Sequence, residues 1–413
     1  MTITIISTTA QLIAALNGAV TGDVIEMAPG TYSNVAISGK QFSPRPGVGA
    51  SQVYIRSEFS NNTATLTDLD VENSKGLSFQ DLNFSTASDP IGPLGAGSTR
   101  AININKSNNI TLWDVNLKGS SSGTLASTIS GLLITSSSSV NIEDSTFSYL
   151  HEAISQLNNN AVKILQNSFS HIYDDGISGG GTSNITISGN AFTDFHPDPT
   201  DTEHPDLIQF WTVNTKTSAS NITINNNTYT RGTTNAVQGI FINDEVGTLP
   251  YSNVTIENNF LSGTLYNGIA VYDVHGGAIE NNNLVSYSDY PAQLDAYGSK
   301  NVTVENNSAA SYYFTGSSQL TILNNKITAP VKPLPDLGRV MDISSAGLTS
   351  PAPEPQTWTL FGAGLAILGV LRRRARRWST TQSRTAKQCR NPLRFGGQRP
   401  PSTVGSLGCS EEG

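Results

Sequence analysis

Short alternations of β-branched or apolar residues with polar ones recur along the chain, as in "LSFQDLNF", "ITLWDVNL", "VNIEDSTF", "VKILQNSF", "ITISGNAF", "ITINNNTY", "VTIENNFL", "AIENNNL", "VTVENNS" and "LTILNNK". Their anchors are Phe79, Leu112, Ile142, Ile164, Ile187, Ile224, Ile256, Ile279, Val304 and Ile322, separated by 33, 30, 22, 23, 37, 32, 23, 25 and 18 residues. A unit of about 22 residues with occasional insertions is the signature of a solenoid. Each unit holds alternations too short for helices, separated by polar turns, and reads as one coil of three strands and three turns.

Two columns support that register. Three residues after the anchor stand Asn167, Asn190, Asn227, Asn259, Asn282, Asn307 and Asn325, placed to stack with each amide bonding its neighbours above and below. Five after it stand Phe84, Leu117, Phe147, Phe169, Phe192, Tyr229, Leu261 and Leu284, an apolar column for the interior. The many Asn-x-Ser/Thr triplets follow from the ladder and need not be glycosylation sites. At the N-terminus a Thr cap and an amphipathic stretch around Ala10–Leu16 predict a helix that covers the open first coil. The expected fold is all-β: a single right-handed parallel β-helix of about ten coils with an N-terminal capping helix. Residues 1–35 are the cap and first strands, and 36–328 the β-helix.

Residues Gly22, Asp23, Ile25, Gly30 and Tyr32 fit a "GD-x-I-x-x-x-x-G-x-Y" segment after the helix. This opening resembles that of right-handed parallel β-helix proteins of the pectate-lyase-like superfamily. The resemblance reaches to about residue 330. It implies the fold and leaves the activity open, since the superfamily holds lyases, hydrolases, epimerases and non-enzymes.

Charge divides the chain. Residues 1–350 hold 14 Lys and Arg against 29 Asp and Glu, net −15, whereas residues 351–413 hold 10 against 3, net +7. An acidic body argues against nucleic acid as a partner. Both cysteines, Cys389 and Cys409, lie in the last 25 residues, so the body carries neither a disulfide nor a thiolate metal site.

The C-terminal part reads as a Pro-rich linker, 329–356, then the apolar run "TWTLFGAGLAILGVL" and "RRRARR" within 357–377, then a disordered polar tail, 378–413. Pro353-Glu354-Pro355, a short apolar helix and an Arg cluster resemble the PEP-CTERM sorting signal of Gram-negative bacteria. That resemblance implies export to the medium or cell surface, a transient membrane anchor, and an exosortase-type sorting enzyme as partner. The chain continues past the arginines, which departs from the pattern. The start "MTITIISTTAQ" is unlike an export peptide, and the true start is expected upstream.

Candidate chemistry concentrates in "DFHPDPTDTEHPDLIQFW", Asp194–Trp211, inside the longest gap. The re-entry segments "EAIS", "DGIS", "DLIQ", "QGIF" and "NGIA" align Ile154, Ile177, Ile208, Ile240 and Ile269. Two positions earlier, Glu152, Asp175 and Asp206 then form a column of carboxylates about 4.8 Å apart from coil to coil. Provided the turn aims them outward, such like charges share protons or hold a cation, and Ca²⁺ on Glu152, Asp175 and Asp206 is the expected cofactor. Solvated turn residues capping backbone N–H groups are the plainer alternative. The insertion is expected to wall a lateral groove. Asp174, His171, His204, Arg231 and Lys163 are candidates for base or charge clamp, and Gln209, Trp211, Tyr173, Tyr272 and Asp244 for contacts with substrate.

These groups suit a monomer acting on an extracellular polysaccharide. The leading expectation is a lyase that takes the C5 proton of a uronate and expels the C4 oxygen. A glycoside hydrolase with paired carboxyls is the alternative, since "YDDGIS" is similar to the Asp-Asp strand entry of polygalacturonase-type β-helices at Asp174, Asp175 and Ile177. A C5-epimerase and a non-catalytic polysaccharide-binding or structural rod complete the set.

Overall fold

The computed structural model describes residues 1–331 apart from 45, 46, 48, 60–62, 86–99, 121–128, 198–203 and 233. The linker beyond 331, the apolar run with its arginines, and the tail lie outside the described residues, as does the middle of the insertion before His204.

Among the described residues, three parallel sheets of 13, 12 and 11 strands wrap one apolar interior. Each coil contributes one strand to each sheet in turn, as Asn160–Leu165, Ser168–Ser170 and Ile177–Gly180 show. We name the sheets first, second and third in that order. All ten anchors pair in register down the first sheet, from Phe79 with Leu112 to Val304 with Ile322. Three further strands precede Phe79 there, so the solenoid is longer than the expected ten coils.

The Asn column forms as a ladder at the corner between the first and second sheets. Each Nδ2 donates to the next Oδ1 at 2.9–3.0 Å from Asn167 through Asn325. The backbone N–H of each donates to that same oxygen, and its Nδ2 also reaches a carbonyl one coil back, as from Asn190 to Ile164 at 2.9 Å. An amide carries both donor and acceptor, so an identical residue can satisfy itself at every step. The residue before it turns the corner at positive φ, 55° at Asn226 and 57° at Asn258, a conformation Asn tolerates better than most. That explains the doubled Asn. A second ladder, Ser74, Ser107, Ser137, Asn159 and Thr182, satisfies the corner between the third and first sheets.

Inside, Phe147, Phe169 and Phe192 stack with ring centroids 5.2 and 4.7 Å apart. The expected helix spans Thr9–Gly18, with Thr8 accepting from the Gln11 N–H and Leu12 and Leu16 buried. It follows a first strand, Ile3–Ile6, rather than opening the chain.

Candidate active site

The corner between the second and third sheets is the variable one. Five residues separate Ser148 from Ile154, six separate Ser170 from Ile177, and twelve separate Thr193 from Asp206. The five isoleucines stack in register as expected. Backbone bonds from Ala153 N to Asp175 O and from Gly176 N to Asp206 O set Glu152, Asp175 and Asp206 on successive coils. Gly176 is required there, since a Cβ would lie 2.6 Å from the Leu207 carbonyl.

The column is recessed rather than solvent-facing. Asp206 is fully buried, Asp175 is 7% exposed, and the Glu152 side chain 14%. Each acid has its own solution to burial. The Arg100 guanidinium lies 3.1 Å from Glu152 and also donates to Ser155 at 2.7 Å, while Ser178 donates to Glu152 from the next coil. Burial pushes the Glu152 carboxyl up, but Arg100 and the two serines outweigh it and hold the group below its usual range. Asp175 relies on the backbone instead. Its Oδ1 accepts the Asp206 N–H at 2.8 Å, and burial with the charges of Asp174, Asp206 and Glu152 drives its proton affinity well up. Burial raises Asp206 to about 6 even though His204 opposes the shift.

His204 is the outlet of this cluster. Its Nδ1 lies 3.0 Å from Asp206 Oδ2, its side chain is 53% exposed, and its ring meets Phe241 edge-on at 5.8 Å. The bond to Asp206 lifts the imidazole to about 9, so at neutral pH a charged imidazole faces a carboxylate beneath it. Nδ1 is engaged, which leaves Nε2 to meet a substrate. The other oxygen of Asp206 is buried without a hydrogen-bond partner among the described residues.

Other expected members fall into place unevenly. Asp174 flanks Asp175, and its N–H donates to the His151 carbonyl at 2.7 Å. Gln209 follows on the same strand as Asp206, its amide nitrogen 3.5 Å from His204 Nδ1, with Trp211 just beyond. His171 stacks between Tyr149 at 4.4 Å and His196 at 4.9 Å, and Tyr173 leans on His196 at 6.3 Å. These rings form a lip on the turn that leads into the acids.

Arg231 does not join the column: it pairs with Asp289 at 2.9 Å and covers the Tyr287 ring at 4.6 Å. Lys163 lies on the first sheet, beside Asn141 and Thr186. Asp244 is a loop cap, accepting from Thr212 at 2.8 Å and from the Gly247 and Leu249 N–H groups at 3.0 and 2.7 Å. Tyr272 instead donates to Asp295 at 3.2 Å. Arg100, Ser178, Phe241 and Asp295 were missed by sequence reasoning. Alignment on the position after the five isoleucines and Leu294 gives Ser155, Ser178, Gln209, Phe241, Ala270 and Asp295, and the same register carried back through Leu132 to Ile102 puts Arg100 two before its anchor, as Glu152 is.

The carboxylates do not fit a calcium site. Ca²⁺ asks for six to eight oxygens, yet Glu152 is spent on Arg100 and Asp206 on His204. Among the described residues no three His, Cys, Asp or Glu side chains are grouped to hold a metal ion. Glu152 and Asp206 are engaged by Arg100 and His204, with Asp175 on the coil between them.

Comparison with known proteins bears on the fold. Residues 100–263 match the family model described as a right handed beta helix region. No curated protein matches the sequence. Among solved structures, an alginate lyase from Paenibacillus sp. str. FPU-7 superposes with a TM-score of 0.51 at 16% identity, covering 77% of this chain and 99% of that one. A surface adhesin of Streptococcus pneumoniae (TM-score 0.44, 16% identity, 80% and 92% covered) and a family 28 exopolygalacturonase of Yersinia enterocolitica (0.42, 9%, 80% and 79%) are also similar. The chain is a right-handed parallel β-helix.

Proposed function

We propose that this protein acts on an acidic extracellular polysaccharide by β-elimination, with His204 as the proton-transferring catalytic residue and Asp206 and Asp175 as positioning residues beneath it. One observation supports this reading above the alternatives: His204 is half exposed while the Asp206 that holds it is fully buried. A carboxyl sealed from solvent cannot attack or protonate a glycosidic bond, so a two-carboxyl hydrolase would lack one of its reacting groups. An imidazole oriented through Nδ1 by a carboxylate is a suitable general base. In its neutral form Nε2 takes the C5 proton, the C5 electron pair forms the C4–C5 double bond, and the C4–O bond breaks with its oxygen protonated from solvent. Epimerisation would begin with the same proton transfer and return a proton without loss of the C4 oxygen.

The fold shared with an alginate lyase makes alginate the first substrate to try, with pectate beside it. Elimination yields an ultraviolet-absorbing unsaturated sugar, hydrolysis yields reducing ends alone, and a binding protein yields neither. His204→Ala should lower elimination by about 100-fold or more, the range that general acid–base groups supply. Reducing ends without absorbance, or undiminished turnover in His204→Ala, would overturn the assignment. The same proposal places the protein outside the cell, released by an exosortase-type enzyme acting on 357–377. Loss of surface or medium protein on deleting that segment is the check.

A further inference from the structure

Beyond His204, the outward face of the third sheet carries one ring per coil toward the C-terminal end. The His204 ring meets Phe241 at 5.8 Å, Phe241 meets Tyr272 at 5.4 Å, and Tyr272 meets Tyr297 at 5.6 Å, all near edge-to-face. Among these rings stands Asp295, on the strand Gln293–Tyr297, its Oδ2 accepting from the Tyr272 hydroxyl at 3.2 Å. Its Oδ1 is shielded from solvent and has no hydrogen-bond partner among the described residues. Nor does any of them form an ion pair with this acid, in contrast to Glu152 and Asp206. Burial, partly opposed by the Tyr272 bond, holds it up at about 6.

We propose that Phe241, Tyr272, Asp295 and Tyr297 form a saccharide subsite that takes the third sugar along from the one at His204. The half-buried Tyr272 and Tyr297 rings suit the C–H surface of a pyranose, and Asp295, half-buried beside them where Asp206 is sealed, supplies an acceptor for a sugar hydroxyl once its carboxylate turns the unpaired oxygen outward. Gln209, Phe241, Ala270 and Asp295 pair in succession, so Asp295 lies three coils from Gln209, roughly 14 Å at about 4.8 Å per coil. A pyranosyl unit of an extended 1→4-linked chain is about as long as one coil. An acid at this position favours a sugar that presents hydroxyls to it and turns any carboxylate away. The subsite deepens the reading of the groove as a polysaccharide site and rests on it.

The test uses mannuronate oligosaccharides of two to six units, with neutral cello-oligosaccharides of the same lengths, on the full chain. Binding is measured calorimetrically and turnover beside it. Affinity of the parent should rise about tenfold once the oligosaccharide is long enough to reach Asp295. Asp295→Asn, Tyr272→Phe and Tyr297→Ala should each erase most of that increment for long oligosaccharides and leave short ones unchanged. A folding defect would weaken all lengths together, and Asp295→Asn, being isosteric, guards against it. Equal affinity at every length, or increments that survive all three substitutions, would overturn the subsite. The result is separable from the role of His204: length-dependent binding that persists with undiminished turnover in His204→Ala would refute the proposed chemistry and keep the subsite.

Discussion

Two corners of the solenoid stack one polar residue per coil in buried positions, and they do so with opposite logic. At the corner between the first and second sheets each Asn offers an amide hydrogen to the oxygen of the next, 2.9 Å from Asn190 to Asn227, and the pattern propagates without loss. At the corner between the second and third sheets Glu152, Asp175 and Asp206 bring like charges together whenever more than one of them is ionised. Each must recruit help from elsewhere: Arg100 for the first, a backbone N–H for the second, His204 for the third. A self-complementary ladder is a means of folding. A frustrated column retained in a buried corner is a place where protons are held, and consistency at one level is given up for chemistry.

The sharpest way to break the contrast is to write one corner's residue into the other. Asn190→Asp removes the donors to Ile164 O and Asn227 Oδ1 and sets a carboxylate oxygen against an amide oxygen in a fully buried site. The expected loss is about 3–5 kcal/mol, in the range seen for uncompensated buried charge. Urea unfolding followed by circular dichroism measures it. A loss below about 1 kcal/mol would mean that the ladder is decorative.

Next in size is an effect on proton affinity. Asp206 lifts the His204 imidazole to about 9, so the basic limb of the elimination rate should rise with pH through about 9. Asp206→Asn withdraws the charge, and the limb should move down toward the ordinary histidine value of about 6.5. The maximal rate should fall as well, since the ring is less firmly oriented. A lower rate with an unmoved limb would reduce Asp206 to a packing residue.

The registers that carry this comparison were legible in the sequence, and the burial was not. A period shows which residues stack: Ile154 through Ile269 and Asn167 through Asn325 align because each coil repeats one geometry. It does not show what covers the stack. Arg100 reaches Glu152 across the coil that carries Ser130–Thr135; it stands two residues before Ile102, the repeat position that the acids share, but insertions of different length on either side of that coil conceal the register. Arg231 and Asp244 are drawn elsewhere for a related reason: Asp289 and the Gly247–Leu249 turn, both on irregular segments, claim them.

The smallest effect is the most diagnostic of frustration. Asp175 has a raised folded-state proton affinity, so the native protein keeps a proton that the unfolded chain has released. The stability this contributes is fully present below the unfolded carboxylate range, about pH 4, and is lost as pH rises through the folded value. Asp206 adds a loss of the same sign up to about 6. Asn at 175 keeps the oxygen that accepts the Asp206 N–H and has no proton to release. Parent and Asp175→Asn should therefore melt together near pH 4 and diverge above it. The variant should be more stable at pH 7 by about 1 kcal/mol or more, since each tenfold gain in proton affinity on folding corresponds to about 1.4 kcal/mol. Elimination should fall in the same variant, because Asp206 then sits in an altered field. Stability gained where activity is lost would mark this corner as the functional one, whereas a variant less stable at both pH values would make Asp175 another structural rung.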